Sequence, residues 1–355
     1  SHVEVGQVAP RRALPALAVP QRGPYTALMR ERDRWNGARW DQADARGHYE
    51  SWFQRANHPT RPLAFWIRYT LFAPRAPESS SARPIGELWA ITFDGERDRV
   101  VAVKEEHPIE RCAFDPSALA VTIADARLEE GRLEGGARSG DHAIAWTLAY
   151  ESAEPPLLLL DPKLYGASFP KAKALVGAPL AHFRGTLDVD GERWEIDDWV
   201  GSQNHNWGSQ HTDRYAWGQV AGFDEDPEAF LEVATAQVKL GPIHTPRSTV
   251  LCLRLDGREH RFDTIGKALR RTRGRYAPFE WRFGARDRDV SIDGWIHAPR
   301  EAFIALPYLN PPGGVKICLN SKIAECALTV TTGGQTRTLT SAHRAAFEIL
   351  TDAAP

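Results

Sequence analysis

The ten residues from Leu63 to Phe72, LAFWIRYTLF, constrain this chain more than any other run. Leu63, Phe65, Ile67, Tyr69 and Leu71 alternate with Ala64, Trp66, Arg68, Thr70 and Phe72. Alternation sends the two sets to opposite faces of a strand. Both faces are largely apolar, so the strand must be buried on both sides or lie against a cavity. Further strands are predicted at about 86–93, 99–104, 118–124, 142–151, 180–189 and 192–200. Others follow at about 214–222, 229–238, 248–255, 258–263, 279–284, 289–297, 301–306, 315–320 and 323–331. Asp94-Gly95, Asp190-Gly191 and Asp256-Gly257 are hairpin turns. Two short helices interrupt, one starting after Asp263 as its N-cap and one over about 341–350, capped by Thr340 or Ser341. Residues 1–24, rich in Pro, Arg and Ala, read as an extended arm, and Arg30 to Trp40 favours neither helix nor strand. Many short strands with few helices make an all-β barrel or sandwich architecture.

Two ordered internal similarities suggest a duplication. ELWAITFDGERDRVVAV around Trp89 resembles YAWGQVAGFDEDPEAFLEV around Trp217, 128 residues on. GARSGDHAIAW ending at Trp146 resembles GARDRDVSIDGW ending at Trp295, 149 residues on. The expected division is an arm over 1–24, one β-domain over 25–200, and a second over 201–355 with a short C-terminal helix.

The 355 residues carry a net charge of −2, which gives no field to attract nucleic acid. Twelve tryptophans beside one methionine suggest rigid aromatic walls. Cys112, Cys252, Cys318 and Cys326 form no CxxC and no zinc-finger spacing, so buried free thiols are expected, with one disulfide left open. The purest apolar run, Leu157 to Leu160, is too short to span a membrane. The opening Ser-His reads as a tag scar, so cytoplasmic and exported locations both stay open. Walker A, G-x-S-x-G, HExxH and G-x-G-x-x-G motifs are missing from the sequence, which argues against Rossmann hydride transfer and phosphoryl transfer. The basic run Lys267 to Arg275 reads as a solvated face.

The densest polar and aromatic stretch is WEIDDWVGSQNHNWGSQHTDRYAWGQ, Trp194 to Gln219. His205 and His211, even with Asp198, do not make a diagnostic metal set, so no metal is expected. Ser202 or Ser209, His205 or His211, and Asp198 or Asp213 could supply a triad, which only geometry can decide. On a regular strand Asp198 shares a face with Trp194, Ile196 and Val200, while Asp197 takes the other. An apolar wall and the neighbouring carboxylate would keep Asp198 protonated, and so a proton donor. A capping role, or pairing with Arg193 or Arg214, is the plainer alternative. Protonating an alkene or epoxide makes a carbocation that indole faces stabilise. Trp194, Trp199, Trp207 and Trp217 are the candidate walls, with Asn204, His211 and Gln219 as further binding residues. His205, Asn206 or Tyr215 would position the quenching nucleophile.

The DDW segment and the NHNWG…YAWGQ run at the seam of two β-halves resemble the carotenoid 1,2-hydratase (hydroxyneurosporene synthase) and AttH-like group, over about residues 45–340. The resemblance implies two consecutive lipocalin-like antiparallel β-barrels, with terpenoid cyclases and fungal Diels–Alderase-type proteins among the relatives. It implies a cofactor-independent hydratase or cyclase of an isoprenoid or polyene. The alternatives are a non-catalytic lipocalin-like carrier and a shape catalyst for a pericyclic ring closure. The expected partner is a hydrophobic small molecule, with peripheral membrane contact for its uptake left open. Oligomeric state is not read from the sequence.

Overall fold

The structure, a computed structural model, describes residues 24–75, 83–240 and 242–352. It is built on two large antiparallel sheets, of 12 and 10 strands, each wound into a nearly closed barrel. The first barrel is centred on the hairpin Ala172–Val189 and Glu192–Gly208, and the second on Val315–Thr332 and Gln335–Thr351. Each long hairpin pairs on one side with the first strand of its own sheet, His48–Asn57 or Arg214–Ala221. On the other side it pairs with His142–Glu151 or Val290–His297. The strand order therefore corresponds in the two sheets, except that the first adds two strands, Ala120–Ile123 and Cys112–Phe114, at one edge. Each sheet curls onto itself, bringing Arg99–Pro108 beside Arg132–Ser139 and Ser248–Leu255 beside Thr272–Ala277. Among the described residues no helix is long and apolar enough to cross a membrane.

Both barrel interiors are filled with side chains. Trp52, Phe65, Tyr69, Trp146, Phe183 and Trp199 belong to the first core, and Trp281, Phe283, Phe347, Phe262, Leu253 and Leu328 to the second. The helix Pro24–Asn36 closes one mouth of the first barrel. Its last carbonyl, on Asn36, accepts from the Trp52 indole at 2.8 Å, and the Asn36 amide donates to Gln203 at 2.9 Å.

The barrels meet through the outward faces of their strands. Glu50, Trp52 and Ala56 of His48–Asn57 turn inward, while Tyr49, Phe53, Arg55 and Asn57 turn toward the second barrel, so all ten residues are buried. The Leu63–Ala73 strand behaves the same way, with Trp66 in the seam and Phe65 in the core. Phe53, Trp66, Trp89, Phe93, Leu306 and Tyr308 make the seam's apolar part. Each contributes about 1.5–3 kcal/mol by leaving water.

Several expectations need correction. Residues 341–350 are not a helix but part of the strand Gln335–Thr351. That strand lies between two others, with Ala345, Phe347 and Ile349 in the barrel core and Leu350 in the seam, and burial on both faces overrides helix propensity. Arg30 to Asn36 completes the helix begun at Pro24, and the later helix, Ile265–Arg270, is capped by Thr264 rather than Asp263. The first sheet keeps residues 201–208, and the second begins at Arg214. The 149-residue offset joins strands that hold equivalent places in the two sheets, whereas the 128-residue offset does not. Trp89 lies two strands further out than Trp217. The arm expected over 1–24 lies outside the described residues except for Pro24. All four cysteines are free thiols.

Candidate functional site between the barrels

The residues predicted to work together fall into separate places. Asp197 and Asp198 both stand opposite Arg184, because the register slips between Phe183 and Gly185. This bulge puts Ile196 and Trp199 in the same core and turns Asp198 out. Asp198 has φ of 56°, half of its side chain is exposed, and it pairs with His182 and Arg184 at 3.1 Å each. Asp197 is exposed. Neither carboxyl faces an apolar cavity, so the buried proton donor expected here does not exist in this form. Trp194 packs beside Trp199 at the edge of the first core.

His205 and Trp207 face the helix that closes the first barrel. His205 Nδ1 lies 3.0 Å from the carbonyl of Trp35, and Nε2 lies 2.8 Å from Glu50. Glu50 also binds His48 at 3.0 Å and accepts from the Arg39 amide. Burial raises the Glu50 pKa, but the bonds to His205 and His48 outweigh it and hold the carboxyl below its ordinary value. Trp207 packs against Trp35 and Tyr165. This group anchors the helix. Asn206 accepts from the Ser51 hydroxyl.

Asn204, Trp217 and Gln219 do converge in the seam. Gln219 donates to Asn204 at 2.9 Å and to Glu232 at 2.8 Å, and accepts from Ser202 at 2.6 Å and Arg55 at 2.7 Å. Trp217 donates to the other Glu232 oxygen at 2.6 Å. Burial pushes Glu232 up to about 7 against the pull of Trp217, Gln219 and Arg55. Nearby, Lys322 donates to Glu348 at 2.8 Å and sits over the Trp66 and Trp217 rings. Lys322 and Glu348 form an ion pair, whereas Glu232 and Arg55 are held by neutral hydrogen-bond partners.

His211 belongs to a different part of the seam, which opens to solvent. A groove of about 530 Å³ is lined by Phe72, Pro74, Arg75, Leu309, Asn310 and Pro311 among others. Phe72 and Leu309 also line a narrow inner pocket of about 10 Å³, together with Tyr49, Arg68, Thr70, Glu87, His211 and Tyr308. The His211 ring stacks on Tyr49 at 3.9 Å and donates from Nε2 to the Leu309 carbonyl at 3.1 Å. Burial, with Arg68 adding repulsion, pushes its pKa down to about 3, so the imidazole is neutral. Arg68 is buried and lies over the rings of Tyr308 at 4.4 Å and Trp66 at 5.9 Å. Its Nε and the Thr70 hydroxyl have no hydrogen-bond partner among the described residues. Glu87 pairs with Lys104 at 2.7 Å and accepts from the Trp89 indole at 3.2 Å. Tyr215 stands between this pocket and the Lys322 group, close enough to feel Cys318, Glu348, Tyr308 and Tyr49.

Sequence reasoning missed Arg68, Thr70, Glu87 and Tyr308. The available signal was a charged residue inside a strand apolar on both faces, since such a charge must be paired or used.

No family model matches the chain. An uncharacterized protein of Mycobacterium tuberculosis, matched in two strains, is 25% identical over 299 residues, covering 82% of each chain. Among solved structures, a Nitrosomonas europaea protein assigned as AttH superposes with a TM-score of 0.57 at 14% identity, over 97% of this chain and 100% of that one. Kievitone hydratase from Nectria haematococca gives 0.57 at 9% identity, over 86% and 89%. CghA gives 0.53 at 11%, over 90% and 95%. At these identities the likeness is one of fold, and it spans most of each chain.

Proposed function

We propose that this chain is a hydratase- or cyclase-type enzyme working in the pocket between its barrels. One observation carries the reading: a buried guanidinium and a buried hydroxyl, both with unmet hydrogen-bonding capacity, beside a neutral histidine at the end of a groove. Unpaired polar groups are costly in a core and concentrate where a ligand meets them. The fold offers support by analogy, since kievitone hydratase shares it.

Adding water to the far carbon of an enone forms a C–O bond, breaks the C=C π bond and shifts an electron pair, with its negative charge, to the conjugated oxygen. The proton lost by the water then ends on the α-carbon, and ring closure by an internal hydroxyl follows the same course. Arg68 is placed to stabilise that charge without reorganising. His211 commits Nε2 to Leu309 and stays neutral, so it brings no second charge to compete with Arg68 for that oxygen. The carbocation route expected from the sequence has less support. Lys322 covers Trp66 and Trp217, and Lys104 lies 4.7 Å over Trp89, so these indoles already hold the protein's own cations. A lipocalin-type carrier is also less well supported, because both barrel interiors are packed.

The test is turnover of a panel of enones and polyene acids in ¹⁸O-labelled water, followed by mass spectrometry. Hydration appears as gain of one labelled water, and cyclisation as a new retention time at constant mass. Arg68→Gln should lower either rate by ~10²-fold or more, as for loss of one oxyanion donor. A panel untouched by the wild-type protein would count against the proposal.

A further inference from the structure

Resting on the same pocket, we infer that its ligand is an organic oxyanion, a carboxylate or an ionised enol, borne on an apolar body that lies in the groove. The seam holds its buried cations in two different ways. Arg55, fully buried, gives hydrogen bonds to the Gln219 side chain, Asn57 and the carbonyls of Arg344 and Gln219. Lys322, equally buried, is paired with Glu348 and Asn320. Arg68 is different. Its charge meets ring faces, while Glu87 and Glu348 act on it only at longer range. Glu87, which shares the pocket, is drawn to Lys104 instead, although its Oε1 also lacks a well-formed hydrogen bond. A buried guanidinium with a free donor edge is costly unless something anionic completes it.

Thr70 places a second unmet donor on the same strand face, two residues further toward the groove. Arg75 adds a cation at the mouth. The space then sets the shape of the ligand. The inner pocket has room for about one oxygen atom. Only one oxygen of any headgroup enters it, and the planar carbon behind the oxygen of a carboxylate or enolate is narrower at the neck of the pocket than a tetrahedral phosphate or sulfate. The outer groove, at about 530 Å³, is walled by Phe72, Pro74, Leu309, Pro311 and Pro312, which suit an apolar body. A neutral hydrocarbon would fill the groove but leave Arg68 unmet.

Decanoate, decanol, decyl phosphate and an alkylated cyclic 1,3-diketone, ionised at neutral pH, serve as probes. Binding is read by calorimetry and by tryptophan fluorescence. Decanoate or the diketone anion should bind about tenfold or more tightly than decanol, as a charge-assisted hydrogen bond allows. Decyl phosphate should bind no better than decanol. Arg68→Gln should remove the preference while changing decanol affinity less than about threefold, and Thr70→Val should weaken it in part. The stronger of the two anions tells carboxylate from enol. Equal binding of decanoate, diketone and decanol by the wild-type protein overturns the inference, as does a preference that survives Arg68→Gln. If Arg68→Gln does not fold, the wild-type comparison and Thr70→Val still decide. These probes need no turnover. Arg68-dependent anion binding without any labelled product would leave this inference standing and remove the enzyme reading. Turnover of neutral substrates without anion preference would do the reverse.

Discussion

Glu232 offers the sharpest energetic test of how the seam is built. Its carboxyl is buried where the barrels meet, and burial lifts it from 4.5 to about 7. The unfolded chain ionises it near the ordinary value. Below that value the group is protonated in both states and costs nothing. As pH rises through the folded value it ionises in both states, and the folded protein bears the full cost. Stability present at low pH is therefore lost as pH rises from about 4.5 to about 7. Two and a half pH units at ~1.4 kcal/mol each give about 3 kcal/mol. Glu232→Gln cannot ionise, so it lacks this slope. The amide does leave one of its donors, Trp217 or Gln219, without an acceptor, which costs ~1–3 kcal/mol at every pH. The quantity to follow is thus the difference between the two proteins, in which other titrating groups cancel. Urea denaturation from pH 4.5 to 8, read by tryptophan fluorescence, should show the wild-type advantage shrinking by about 3 kcal/mol. A flat difference, or one that grows with pH, would mean that Arg55, Trp217 and Gln219 hold the carboxylate ionised, and would refute the reasoning.

Three further outcomes follow from the geometry. Asp198→Asn should leave turnover within about twofold and stability within ~0.5 kcal/mol, as for an exposed position; a rate loss of 10²-fold would restore its role as acid. Glu50→Gln should cost ~3–5 kcal/mol in chemical denaturation, because it breaks a buried pair that ties His205 and His48 to the closing helix. Gly201→Ala should abolish soluble folded protein in expression trials, since a Cβ there would run into the Arg55 carbonyl of the paired strand.

The architecture was largely legible because it rests on alternation and turns. Leu63 to Phe72 announced a strand covered on both faces, and the structure covers one face with the core and the other with the second barrel. His48–Asn57 escaped notice for the opposite reason. HYESWFQRAN mixes Glu, Gln, Arg and Asn into a fully buried strand, where hydrogen bonds across the seam replace apolar alternation. Asp198 was misplaced by a single extra residue. A bulge at Asp197 and Asp198 inverts every side-chain assignment on one side of it, and nothing in the local sequence marks the slip. Arg68 was visible as a charge among hydrophobes, but that it forms no ion pair among the described residues is a property of three-dimensional packing. The tryptophans were expected to wall a cavity, but neither the groove nor the inner pocket is lined by one; they fill the cores and the seam, and which of their faces the protein's own lysines cover could not be read along the chain.

The measurement that tests the central claim most directly is photoaffinity mapping of where a ligand sits. A decanoate bearing a diazirine at its chain end would be crosslinked to the full chain, and the labelled peptides identified by mass spectrometry. If the functional pocket lies between the barrels, label falls on the segments around Phe72 to Arg75 and Leu309 to Gly314, and Arg68→Gln loses most of it. Label concentrated on residues inside either barrel, such as Phe183 or Phe283, with no dependence on Arg68, would contradict the account.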